Sequence, residues 1–252
     1  MKIAVLIKQT PQVASITVSD KATWPDSDMI INPFDEYALE EALRLKEKLN
    51  CKTAALSFGK AAAETALRDA LALGIDEAYL IADDNLDYLN PQKAAATLAK
   101  AIAKIGDVTI VLTGKQATDD DSSLVGPAVA AYLGWPQVGF IRKFELVELD
   151  KLICQRTTDE GYDRVEVHLP GVFSVVKEIN EPRLPSLRGK MQAKKATITK
   201  WSLQEIGGDS PGHLGLKSIS APPRRIGGEI LSGDVDESVE KLVAKLKENQ
   251  LL

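Results

Sequence analysis

Histidine and cysteine are scarce in this chain, with two of each in 252 residues. With only His168 and His213 available, a histidine-built metal centre or a Ser-His-Asp triad is not expected. Cys51 and Cys154 lie far apart, without the paired spacing of a disulfide framework or a metal knuckle. No apolar run approaches the roughly 18 residues of a membrane span. The N-terminal stretch KIAVLIK is too short and too soon charged for a secretion signal. A cytoplasmic protein, not itself membrane-embedded, is therefore expected. The formal net charge of -5 argues against a nucleic-acid partner. Neither G-x-x-x-x-G-K-[ST] nor G-x-G-x-x-G occurs, so no P-loop or dinucleotide fingerprint can be claimed. Nor is there a Cys/His pair or a clustered carboxylate pair of hydrolase type. Together these absences favour a binding or carrier role over autonomous catalysis.

What the chain does contain is a regular alternation over its first 135 residues. Short apolar runs at 3–7, 52–57, 77–81 and 108–112 read as strands. Helical patterns fall between them at 33–49, 61–73, 91–106 and 122–133. The first places Ala38, Ala42, Leu45 and Leu49 on one face. It opens on Asn32-Pro33, an N-cap followed by proline where no backbone N–H is missed. The same opening recurs at Asn90-Pro91, while Gly74 and Gly134 suit helix C-caps. This order implies a parallel sheet with helices on both faces. On such sheets ligands bind at the carboxyl ends of the strands. Three loops converge there, namely the chain from Lys8, the turn Ser57-Phe58-Gly59 and the stretch from Thr113.

Beyond residue 137 the pattern changes to strands at 138–148, 151–157, 164–169 and 172–176, with a hairpin turn at 148–151. They are expected to extend or flank the sheet. From 178 to 234 periodicity is lost, and Pro222-Pro223-Arg224-Arg225 reads as a linker. A structureless stretch of that length is uncommon unless it serves binding. An amphipathic helix at 235–249, presenting Val239, Leu242, Val243 and Leu246, closes the chain. The length is compatible with one large domain or a domain plus an appendage. We divide it into an α/β domain at 1–182 and an arm with terminal helix at 183–252.

The stretch TGKQATDDDSSLVG carries the strongest candidate site. Gly114 and Lys115 open it, Gln116, Ala117 and Thr118 follow, and Asp119, Asp120 and Asp121 precede Ser122, Ser123, Leu124 and Val125. A glycine-opened turn entering a helix offers free backbone N–H groups to an anion, with the serines as added donors. Equally, the serines and aspartates could simply cap the helix. Three carboxylates would repel a phosphate they faced, so their tasks are capping, holding the loop or accepting from ribose or adenine donors. Phe58 could stack on a base or merely pack. Lys190, Lys194, Lys195 and Lys200 could draw an acidic partner or form a solvated face.

Five segments, taken in order, resemble one family. They are KIAVLIKQT at 2–10, INPFDEYALEEALRLKE at 31–47, TALRDALALGIDEAYLI at 65–81, TGKQATDDDSSLVGPAVAAYLGWPQ at 113–137 and NEPRLPSLRGKMQAKKATI at 180–198. The chain is similar to the beta subunit of electron-transfer flavoproteins over nearly its whole length. It is least family-like at 11–29 and 210–234.

The resemblance implies an α/β fold, a Rossmann-like parallel-sheet nucleotide-binding domain of the adenine nucleotide alpha hydrolase-like type, extended by additional strands and ending in a long irregular arm and terminal helix. It implies a heterodimer whose alpha subunit holds the redox FAD shared between the subunits, while the beta subunit buries AMP. Electrons would arrive from acyl-CoA dehydrogenases or similar flavoenzymes and leave toward a quinone oxidoreductase, as in fatty acid beta-oxidation. The AMP site carries over to Leu6, to Asn32, Pro33, Phe34 and Asp35, to Phe58, and to Gly114 through Val125. A partner-docking loop carries over to Arg183, Leu184, Leu187, Arg188 and Met191, with Leu187 as the anchor on a mobile segment and the terminal helix packing on the alpha subunit. After the aspartates many AMP-binding relatives continue Asn-Gln-Thr, whereas this chain has Ser123-Leu124-Val125. Electron-bifurcating relatives, which hold a second FAD in the same pocket, show D-G-D-T-A-Q-V-G-P. Val125-Gly126-Pro127 matches that ending, but Asp120 places a side chain where those relatives have glycine, so AMP is the expected occupant. An alternative of another class is an adenine-nucleotide hydrolase-like enzyme, and a further one is a regulatory nucleotide sensor.

Overall fold

The computed structural model describes residues 1–18, 22–83, 86, 90–208 and 227–252. The elements run β1 (Lys2–Leu6), β2 (Gln9–Pro11), β3 (Thr17–Val18), β4 (Ala22–Thr23), β5 (Met29–Ile31), α1 (Pro33–Leu49), β6 (Lys52–Gly59), α2 (Glu64–Leu73), β7 (Glu77–Ala82) and α3 (Pro91–Ile105). They continue with β8 (Val108–Gly114), α4 (Val125–Leu133), β9 (Gln137–Val147), β10 (Lys151–Thr158), β11 (Gly161–His168), β12 (Gly171–Val175), α5 (Leu187–Lys195), β13 (Thr199–Trp201) and α6 (Val235–Glu248). Two compact units result, Met1–Ile219 and Ser220–Leu252.

The first unit is built on a nine-stranded sheet in the order β11-β10-β9-β12-β8-β1-β6-β7-β13. From β9 across to β13 every neighbouring pair is parallel. Only the β9-β10-β11 meander is antiparallel. Because successive side chains on a strand face opposite ways, β1 feeds two cores. Ile3 and Val5 pack with Ala38, Leu39, Ala42 and Leu45 of α1 and with Ala66, Leu67 and Ala70 of α2. Ala4 and Leu6 pack with Ala95, Leu98 and Ile102 of α3 and with Val129 and Ala130 of α4. Both faces of the parallel region are thus covered, as an apolar parallel sheet requires. The strand order reverses between β1 and β8, the place where a doubly wound sheet leaves a crevice at its carboxyl edge.

The expected α/β class, the four leading strands and the added strands all appear, and β12 inserts in parallel between β8 and β9. Several local expectations are corrected. Residues 61–63 form a tight three-residue turn before α2 begins at Glu64. The fourth helix starts at Val125, not Ser122, because Asp121 and Ser123 adopt φ of 49° and 54°, a left-handed backbone that cannot open a helix. The arm is not structureless. It carries α5, and β13 joins the sheet beside β7. Ala193, Ile198 and Ile206 bury their side chains. Their spacing is too short to display a period, which is why the sequence reads as irregular there. The linker expected at Pro222–Arg225 lies outside the described residues.

In the second unit α6 is capped by Asp234, whose Oδ1 accepts the Glu237 N–H at 2.9 Å. Lys245 pairs with Glu229, and Lys241 donates to the Ser232 carbonyl at 2.7 Å. Val235, Val239 and Leu242 are exposed. Among the described residues no helix is long and apolar enough to cross a membrane.

Candidate functional site

A cleft of about 780 Å³ opens where the ends of β1, β6 and β8 meet the starts of α1, α3 and α4. One wall is apolar, formed by Phe58, Leu86, Ala94 and Leu98. The opposite side is polar and holds Lys8, Asn32, Asp35 and the 113–117 turn. Of the residues expected from sequence, Leu6, Asn32, Asp35, Phe58, Gly114, Lys115, Gln116, Ala117, Asp120, Ser122, Ser123, Leu124 and Val125 line it. Pro33, Phe34, Thr118, Asp119 and Asp121 do not; they belong to its frame. Ile7, Lys8, Thr113 and Gly126 flank the expected segments, while Leu86, Pro91, Ala94 and Leu98 were missed. The repeated Asn-Pro opening was the available signal, since it brings α3 to the same sheet edge as α1.

The aspartates brace the loop. Asp119 accepts from Lys8 Nζ, with Oδ2 at 2.7 Å, and Asp120 Oδ2 stands 3.9 Å from the same ammonium. Asp120 Oδ1 also accepts the Ser122 N–H at 3.1 Å. Asp121 accepts from Gln116 Nε2 at 2.7 Å. Asn32, expected as a helix cap, makes no side-chain cap bond. Its Nδ2 instead donates to the Gln116 carbonyl at 2.8 Å, and its Oδ1 accepts the Thr118 N–H at 3.2 Å. The matching Asn90 does cap, accepting from Lys93 N–H at 3.0 Å. Thr118 Oγ1 adds a bond to Thr10 Oγ1 at 3.3 Å.

Behind the turn sits Asp35, 6% exposed. Its Oδ2 accepts the Lys8 N–H at 2.8 Å and its Oδ1 the Gly114 N–H at 3.2 Å. Burial pushes its carboxyl up to about 7, against the downward pull of those N–H groups and of Asn32. One carboxylate therefore ties the ends of β1 and β8 together.

With the carboxylates so engaged, the groups left for a ligand are donors. Among the described residues no protein acceptor takes the N–H groups of Ser123, Leu124, Val125 or Gly126. These lie at the start of α4, where the helix dipole favours negative charge. Lys115 has no carboxylate partner among the described residues, its Nζ resting 5.5 Å from the Phe140 ring centre. Thr113 Oγ1 is buried without a hydrogen-bond partner among the described residues. An apolar slot beside an anion-seeking helix end is suited to a planar heteroaromatic ring carrying a phosphate.

Residues 25–206 match the model of the electron transfer flavoprotein domain. The chain belongs to the electron transfer flavoprotein family, as a beta subunit. An electron transfer flavoprotein subunit beta of Thermoanaerobacterium thermosaccharolyticum is 38% identical over 100% of both chains. One from Megasphaera elsdenii is 36% identical, covering 97% of this chain and 99% of that one. The Caffeyl-CoA reductase-Etf complex subunit CarD of Acetobacterium woodii is 36% identical over 100% of both. Membership in the electron transfer flavoprotein family supports a role in electron transfer, and a beta subunit implies an alpha-subunit partner and a flavin or nucleotide cofactor.

In this family setting the expected docking residues separate into two kinds. Leu184, Leu187 and Met191 are 90%, 79% and 60% exposed. Arg188 is exposed beside them. Leu187 and Met191 share a face of α5, one turn apart. Arg183, also exposed, is instead paired with α1, its Nε donating to Glu40 Oε2 at 2.7 Å and its Nη2 to Oε1 at 3.1 Å. Ser186 caps α5, its Oγ accepting the Gly189 N–H at 3.0 Å. The expected docking loop thus contains a capped helix from Leu187 to Lys195.

Proposed function

We propose that this chain is the beta subunit of a heterodimeric electron carrier, not an enzyme in its own right, and that it holds AMP structurally in the cleft between β1 and β8. The observation that supports this reading is that Ser123 to Gly126, whose four N–H groups have no protein acceptor among the described residues, line the same cleft as Phe58 and Leu98. Adenine packs against the apolar wall, while the phosphate meets the α4 N-terminus and Lys115. The FAD held with the alpha subunit supplies the electron chemistry. This chain's residues orient the bound nucleotide and keep the loop shut through Lys8, Asn32 and Asp35. Electrons come from acyl-CoA dehydrogenase-type donors and pass to a quinone oxidoreductase. The partner-facing surface lies in 183–252, with Leu187 as the anchor for a donor and α6 packing on the alpha subunit. Burying one leucine is worth roughly 1.5–3 kcal/mol, weak enough for a carrier that must leave after each transfer.

One observation favours a second reading, a second FAD in the same pocket. A further cleft of about 550 Å³ shares Lys115 and Ser123 with the first and is lined by Gln137, Phe140, Arg156 and Ser174. Arg156 has no carboxylate partner among the described residues, so a pyrophosphate and a second ring system could continue from one cleft into the other. Denaturing the purified heterodimer and identifying the released nucleotides by mass and absorbance separates the readings. One AMP with one FAD per heterodimer supports the first, and two FAD support the second. The absence of any nucleotide beyond the alpha subunit's FAD sinks the assignment of the cleft.

A further inference from the structure

From its anchoring we infer that Arg183 is a positioning residue, which together with Arg68 holds α5 rigid so that Leu187 is presented to the electron donor already in its docking geometry. This inference rests on the docking reading above and deepens it. Leu187 is exposed and Gly189 is pressed to the body of the protein: a Cβ there would stand 2.3 Å from the Ala72 carbonyl oxygen of α2. At the entrance to α5, Arg183 grips both carboxylate oxygens of Glu40 on α1, its backbone N–H joins at 3.2 Å, and Nη1 reaches Glu47 at 3.3 Å. Glu40 is 4% exposed. Burial pushes its carboxyl upward, and the bonds from Arg183 and Arg44 outweigh that and hold it below the ordinary range. At the exit, Arg68 Nη1 donates to the carbonyls of Ala193, Lys194 and Ala196 at 2.8, 3.4 and 3.4 Å. Arg68 is itself fixed by Glu64, which also pairs with Lys200 at 2.6 Å.

A nine-residue helix is marginal in water on its own. Without these two clamps, docking would have to order the segment at the moment of contact and lose affinity by that amount. Bidentate guanidinium-carboxylate geometry is suited to the task, because it fixes direction as well as distance.

Steady-state reduction of the intact heterodimer by a flavin dehydrogenase donor tests this with Leu187→Ala, Arg183→Met, Arg183→Lys and the Arg183→Met/Leu187→Ala double variant. Arg183→Met is expected to raise KM for the heterodimer by roughly tenfold with kcat unchanged, and Arg183→Lys to give an intermediate value. In the Leu187→Ala background, where there is no anchor left to present, Arg183→Met is expected to add nothing. A raised KM in Leu187→Ala with an unchanged one in Arg183→Met overturns the clamp while the docking reading stands. A full additional effect of Arg183→Met in the double variant also overturns it. An unchanged KM in Leu187→Ala overturns the docking reading and the clamp with it.

Discussion

Asp35 Oδ1 accepts the backbone N–H of Gly114 at 3.2 Å, and no space is left behind that bond. A Cβ on Gly114 would stand 2.5 Å from Asp35 Oδ1 and 2.7 Å from the Phe34 carbonyl carbon. Gly114 is therefore required by close approach of two backbones rather than by a left-handed turn, since it is not among the glycines with positive φ. The proximity also places the turn's following residues, from Lys115 onward, at the mouth of the cleft.

Gly114→Ala is accordingly expected to force β8 away from the start of α1. Overpacking of this kind costs about 1–3 kcal/mol, and the displaced turn should retain less nucleotide. Thermal unfolding and nucleotide occupancy of the purified variant check this together. An unshifted melting temperature with full occupancy would show that the turn yields without cost.

The buried Asp35 carboxyl gives a pH signature of defined sign. Its value is raised from 3.8 to about 7 in the folded chain, so between those limits the folded state binds more protons than the unfolded one. Stability from this group is full below about pH 4, falls as the pH rises toward 7, and is flat above. Asp35→Asn removes the titration and adds a constant penalty, because its amide must set an N–H against one of the two backbone donors. Urea midpoints of the wild type should therefore decline relative to the variant from pH 4.5 to 7.5. Parallel curves would mean that Asp35 stays ionised throughout.

The Lys8–Asp119 pair joins β1 to the acidic loop at 2.7 Å, and both side chains are largely covered, 26% and 13% exposed. Asp119→Asn keeps the shape and removes the charge, weakening a charge-assisted bond by roughly 1–2 kcal/mol. Asp120 is too distant at 3.9 Å to take over fully. Nucleotide dissociation from the variant should be about tenfold faster by dilution-chase, with the sheet unaffected by circular dichroism. Unchanged dissociation would assign the aspartates to the fold alone.

Much of this was legible in the sequence where a single element decides its own fate. The α1 pattern of Ala38, Ala42, Leu45 and Leu49 and the apolar runs of β1, β6, β7 and β8 announce themselves through period and caps. Phe58 and the 114–125 stretch could be placed at the strand ends because topology puts them there. What the sequence hid depends on partners distant along the chain. Asn32 looks like a cap and is spent on Gln116 and Thr118. Arg183 looks like a docking cation and is spent on Glu40. Only three residues of β13 pair with β7, too few to show an alternation.

The second unit offers the last prediction. On α6, Val239 and Leu242 are 54% and 48% exposed, and no residue of that helix is buried within the chain. Val239→Asp should therefore leave the isolated chain's stability within about 0.5 kcal/mol, as for other surface changes. If α6 packs on the alpha subunit as proposed above, the same carboxylate would be buried in that contact without a partner, at a cost of several kcal/mol. Co-purification with the alpha subunit should thus be lost while the melting temperature of the isolated beta chain is unchanged. Retained association would place the alpha-subunit contact elsewhere, and a lowered melting temperature in isolation would show that Val239 packs within its own chain.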